Sequence, residues 1–137
     1  MDSSSIDDVN LYEQLGMDTI MRLSRAFYTK VYDDTDPGFR GMFPPDMESA
    51  IRNQYEFFAQ RFGGPPIYSE RKGHPALRAR HKRFHITREY VDRWLGYMRE
   101  AMDEVGIPQD AKQRIDAFLT DTGYFMQNVD EQGNRIY

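Results

Sequence analysis

Apolar side chains recur at helical spacing along most of this chain, and nowhere do they alternate as a half-buried strand requires. A first short helix or turn is predicted from Leu11, closed by Gly16. From Met17 to Asp33 the residues Ile20, Leu23, Phe27 and Val31 form one stripe, and Tyr28 falls eight positions after Ile20 on the same face, with Asp18 or Thr19 as cap. Asp33 to Gly41, with Asp-Pro-Gly at its centre, predicts a loop. Asp46 then caps a predicted helix from Met47 to Phe62, whose stripe is Met47, Ala50, Ile51, Gln54, Phe58 and Phe62. Thr87 caps a long helix to about Val105 with Val91, Trp94 or Leu95, Met98, Ala101 or Met102, and Val105 inward, and Gly106 ends it. A final helix starts at Pro108 and runs to about Val129, burying Ile115, Phe118 or Leu119, Thr122, and Phe125 or Met126. The fold class is therefore all-α, with one domain over residues 11–129, a flexible tail at 1–10 in which Ile6 and Val9 are docking residues, and a loose polar tail at 130–137.

Between the two long helical halves lies the stretch on which the rest is organised, Gly63 to His85. Gly63-Gly64-Pro65-Pro66 and Gly73-His74-Pro75 interrupt helix, because glycine costs backbone entropy and proline lacks a donor. A non-helical lead thus delivers a short helical segment in which Leu77 and Phe84 flank His81 among Arg78, Arg80, Lys82 and Arg83. Leu77 and His81 are four apart and share a face. Such a histidine is commonly a half-buried structural residue; amid cations and beside a leucine it is equally placed to ligate something bulky and anionic.

Polar groups on apolar stripes sharpen that choice. Tyr28, Gln54 and Trp94 come from three helices, and a buried glutamine needs a hydrogen-bond partner or costs stability, so Gln54 is either a satisfied structural residue or a pocket residue. Together with His81 they predict a cavity with one metal-binding wall and one hydrogen-bonding wall.

Composition limits what the cavity holds. The chain of 137 residues has no cysteine and only three histidines, so a thiolate site, a covalently attached haem and a typical zinc or di-iron site lack their ligands. A haem needs one axial histidine, and its two propionates give a role to His74, Arg78, Arg80 and Tyr68 beside His81. A net charge of −4 argues against general nucleic-acid binding, although Arg71 to Arg83 is locally basic. No apolar run spans a membrane and the N-terminus carries no targeting pattern, so a cytoplasmic protein is expected.

The string GGPP-I-YSE-RKGHP-A-LR-A-RH-KR-F-H-I followed by D-R-W-L-G-Y-M, from Gly63 to Met98, resembles the truncated haemoglobins of group II, the 2-on-2 globins. A-F-Y-T-K-V around Tyr28 and M-F-P-P-D around Phe43 match in order, and the resemblance covers about Leu11 to Val129. It implies a shortened globin fold, two helices over two, around haem b. His81 would be the proximal iron ligand, with Tyr28, Gln54 and Trp94 on the distal side. Phe43 would wedge the haem and Ala50 would occupy the distal gate. Tyr68, Arg78 and Arg80 match positions near the propionates, and Phe84 is grouped with His74 among the cofactor-binding residues. Two departures are visible: Phe43 stands where many relatives carry tyrosine, and Asn53 where some carry a basic residue.

The function so implied is O2 binding with slow release, suited to NO dioxygenation or peroxide reduction. O2, NO and CO are the expected ligands and a reductase the expected partner; a homodimer is left open. The alternatives are a diatomic-ligand sensor or storage module without turnover, and a cofactor-free helical interaction protein.

Overall fold

The computed structural model describes residues 5–136; residues 1–4 and 137, parts of the two predicted tails, lie outside the described residues. Seven helices follow one another: α1 (Leu11–Tyr32), α2 (Pro37–Arg40), α3 (Met47–Arg61), α4 (Ile67–Lys72), α5 (Leu77–His81), α6 (Arg88–Glu104) and α7 (Gln109–Met126). Helix α1 packs on α3 and on α6, and α6 packs on α7, which gives two helix pairs around one core. Apart from one antiparallel bridge between Val129 and Arg135, helix is the only repeating structure among the described residues.

The caps explain the boundaries. Asn10, Asp46 and Thr87 each accept a hydrogen bond from a backbone N–H of the first turn of α1, α3 and α6. Gly16 has φ 81°, a left-handed conformation that kinks α1 where the sequence predicted a break. The stripes point inward as predicted: Ile20, Leu23, Phe27 and Val31 of α1 and Ala50, Ile51, Gln54 and Phe58 of α3 are buried. Each fully buried large side chain contributes about 1.5–3 kcal/mol of transfer free energy. On α6 Leu95 rather than Trp94 is buried, and on α7 Leu119 rather than Phe118.

Three expectations are corrected. The predicted loop at Asp33–Gly41 contains α2, because Asp36 caps it and Pro37 occupies a first-turn position where no N–H is needed. The lead to His81 contains α4, which begins directly after Pro66 at its N-cap, a position that needs no helical N–H. Helix α7 stops at Met126, and Phe125 is 54% exposed.

The described parts of both tails are fastened. Ile6 is buried while Val9 is exposed, Arg61 pairs with Asp7 at 2.7 Å, and Arg114 donates to the Ser5 carbonyl at 2.6 Å. At the other end Asn128 is fully buried; its side chain donates to the Phe84 carbonyl and accepts from the Ile86 N–H, both at 2.8 Å. Arg135 donates to the carbonyls of Phe84, at 3.0 Å, and Lys82. The C-terminal residues therefore strap the segment that follows His81.

Candidate haem site

The Gly-Gly-Pro-Pro turn first brings the His81 segment back across the core. A Cβ on Gly64 would meet Tyr12 at 2.6 Å and the Ala59 carbonyl at 2.7 Å, so only glycine lets this turn lie on α1 and α3. Asn10 donates to the Gly63 carbonyl at 3.2 Å and holds it there. Helix α4 then leads to α5, five residues long, which buries none of its own side chains. A helix this short has little intrinsic stability. Arg80 supplies part of the missing support by donating to the carbonyls of Lys72, His74 and Pro75 at 2.6, 3.0 and 2.7 Å.

His81 ends α5 and lines a narrow apolar cleft of about 80 Å³. Phe39, Phe43, Ile86, Val91 and Trp94 are among its other walls. Nδ1 of His81 lies 2.7 Å from the Leu77 carbonyl. A carbonyl only accepts, so Nδ1 carries the hydrogen and Nε2 keeps the lone pair of the neutral ring. Burial first, then the cations Arg80 and Arg83, hold the His81 pKa below its ordinary value, against the opposing hydrogen bond to Leu77. The imidazole is thus neutral and its tautomer fixed at neutral pH, as a metal ligand requires.

Across the core, Phe27 packs edge-on against both Tyr28 and Trp94, with ring centroids 4.8 Å away in each case. Phe43 lies 5.9 Å from Tyr28. Neither the Tyr28 hydroxyl nor the Trp94 indole N–H bonds another group among the described residues, and Oε1 of Gln54 is buried without a partner. Burial, then Tyr32, raises the Tyr28 pKa far above its ordinary value, so the phenol remains a neutral donor.

Of the ten predicted site residues three line this cleft, and neither Tyr28 nor Gln54 is among its walls. His81, Phe43 and Trp94 share the cleft, Phe84 sits 6.3 Å from the His81 ring, and Tyr28 stands behind Phe43. His74 and Arg78 line a neighbouring apolar hollow with Leu77, Phe57 and Phe118. Tyr68 is buried against Phe57, with Arg80 over its ring. The sequence reading assigned the Arg80 guanidinium to an anion; here its donors Nε and Nη2 face backbone carbonyls. Asn53 accepts from Arg71, which also pairs with Glu56 at 2.7 Å.

Two groups of supporting residues were missed. Asn128 and Arg135 hold the backbone of Lys82 to Ile86, and the only sequence signal was an asparagine just past an apolar helix. Arg93 bonds Asp34 and Asp36, Tyr97 bonds Asp34, and Tyr90 bonds Asp36, tying the corner that carries Phe39 to α6 beside Trp94.

The donor chemistry suits a haem: the neutral Nε2 of His81 is available for one axial bond at the wall of an apolar cleft.

Comparison with known proteins agrees. The family model for bacterial-like globins matches residues 10–128. Two-on-two hemoglobin-3 of Arabidopsis thaliana is 47% identical over 133 residues, covering 96% of this chain and 76% of that protein. Group 2 truncated hemoglobin YjbI of Bacillus subtilis is 39% identical over 124 residues, covering 90% and 92%. Among solved structures, the group II truncated haemoglobin of Bacillus anthracis superposes with a TM-score of 0.83 at 34% identity, covering 90% of this chain and 94% of that one. The truncated oxygen-avid haemoglobin of Bacillus subtilis gives 0.79 at 39% identity, covering 85% and 98%. With its helix order, cleft and matches over nearly the whole chain, this protein belongs to the bacterial-like globin family as a group II truncated haemoglobin, in a family that binds haem, O2 and other diatomic ligands.

Proposed function

We propose that this protein holds the iron of haem b through Nε2 of His81 and retains O2 on the opposite face under Tyr28, Gln54 and Trp94, for redox chemistry with NO or peroxide rather than for delivery. The observation that carries this reading is the set of polar groups left without protein partners at Tyr28, Gln54 and Trp94. A buried polar atom such as Oε1 of Gln54 is rarely unpaired, so a bound ligand is the expected partner of this set. A ferrous haem supplies a site where O2 is held and polarised, its outer atom gaining negative charge.

The chain's own residues act on that charge. The Tyr28 hydroxyl and the Trp94 indole each donate, and Oε1 of Gln54 accepts from Tyr28 or its amide donates to the ligand. In a dry pocket each donor contributes about 1–3 kcal/mol, or about 5- to 150-fold in the O2 release rate. CO carries less charge and gains less. Ala50, buried and small, puts no bulky group at the distal gate, which favours rapid ligand entry. The oxygen-avid character named for the Bacillus subtilis relative supports the same direction here. Repeated turnover requires an electron donor, and a reductase is the partner this reading calls for; the expected setting is the cytoplasm.

Stopped-flow measurement of O2 dissociation tests the assignment. Tyr28→Phe and Trp94→Phe should each release O2 faster by the factor above while CO release changes little. Wild-type rates in both variants would remove the donors from the account.

A further inference from the structure

Charge is divided unevenly in this chain. Residues 71–88 contain seven Lys or Arg and no Asp or Glu. Because the whole chain carries −4, the remaining residues must carry −11. Ordinary solvated surfaces mix the two signs, as α1, α6 and α7 do here with Arg22–Asp18, Arg93–Glu89 and Lys112–Asp103.

In the fold most of these cations are exposed, and they lie on the end of α4, on the short segment that carries His81 and on the start of α6. Arg71 is matched by Glu56. Lys82 and Arg83 follow His81 directly and are exposed, as are Arg80 and Arg88, and Arg135 joins them from the C-terminal strap. None of these five has a carboxylate within ion-pair distance among the described residues. Arg80 and Arg135 are held by backbone carbonyls, which fix their positions without cancelling their charge. The two propionates of a bound haem would neutralise two cations and leave the face positive. Keeping like charges this close costs stability, so an external anion is the missing counterpart.

From this we infer that the face formed by Arg80, Lys82, Arg83, Arg88 and Arg135 docks the acidic surface of a one-electron donor protein. The inference rests on the haem reading above and names the partner's chemistry. Arg80, Lys82 and Arg83 flank the proposed iron ligand in the chain and are exposed, so a donor gathered on them would stand close to the haem. At the contact the donor loses one electron and the ferric iron gains it, with no atom exchanged. The −11 borne by the rest of the chain repels polyanions such as duplex DNA and anionic lipid surfaces, which extend beyond the patch; a small acidic protein matches the patch alone.

The test is equilibrium binding of a strongly acidic two-iron ferredoxin to the haem-loaded protein, followed calorimetrically at about 50 and 300 mM salt. Wild type should bind at low salt and lose most of its affinity at high salt. Lys82→Glu with Arg83→Glu should weaken binding by about tenfold or more, whereas Arg22→Glu with Arg25→Glu, an equal change of charge on α1, should change it less than about threefold. Equal effects of the two pairs, salt-independent binding, no binding, or tighter binding to duplex DNA or phosphatidylserine vesicles would each overturn the proposal. Failure of the haem reading shows separately, as an absent haem absorption band in the same sample.

Discussion

Nδ1 of His81 donates to the carbonyl of Leu77, one helical turn earlier, at 2.7 Å. That single bond sets the tautomer and turns Nε2 away from its own helix. The remaining behaviour of the site depends on how firmly the surrounding chain holds this short helix, and on polar groups opposite that the protein does not satisfy.

Gln54 is where stability and function are set against each other. Its buried Oε1 has no protein partner, a deficit of about 1–3 kcal/mol. Gln54→Leu should therefore raise the unfolding temperature of the haem-free protein by a few degrees while speeding O2 release from the loaded form. Thermal unfolding followed by circular dichroism, with stopped-flow release, checks both; a destabilised haem-free variant would mean that Gln54 has a structural partner.

Asn128 should act on the proximal side. Its side chain bridges the Phe84 carbonyl and the Ile86 N–H, and Asn128→Ala leaves both unpaired in a buried place. A loss of about 2–4 kcal/mol is expected, with faster amide exchange concentrated at Phe84 to Ile86. Uniformly faster exchange across all helices would show that the strap has no local role.

The ion pair between α6 and α7 predicts an acid-side dependence. Hydrogen bonding from Arg99 above all, with its charge, holds the Asp116 carboxyl below its ordinary value of 3.8, against partial burial. A carboxyl depressed in the folded state adds stability that is fully present above its unfolded pKa and is lost as pH falls through the folded one. Urea midpoints of wild type and Asp116→Asn should thus differ near neutral pH and converge as the pH drops below about 4. A difference that stays constant with pH would contradict the linkage.

Much of this was legible in the sequence because it depends on local rules. Helical stripes, the Asp46 and Thr87 caps and glycine breaks placed α1, α3, α6 and α7, and His81 amid cations singled out a residue that lines the cleft. What was missed depends on tertiary neighbours. Pro37 and Pro66 looked like helix breakers, yet at a first-turn position and at an N-cap they start α2 and α4. The polar residues after Val129 looked loose because nothing local shows that Arg135 and Asn128 meet the carbonyls of Lys82 and Phe84. Arg80 looked free for an anion because its hydrogen bonds to Lys72, His74 and Pro75 arise only when the chain folds back.

The most direct measurement is the absorption spectrum of wild type and His81→Gly purified from haem-supplied cells, in ferric, ferrous and O2-exposed forms. Wild type should carry an intense Soret band that shifts reversibly with O2. The variant should lose haem or its O2 response, and added imidazole should restore them. A wild type without a Soret band, or a His81→Gly spectrum identical to wild type, would contradict His81 as the proximal ligand.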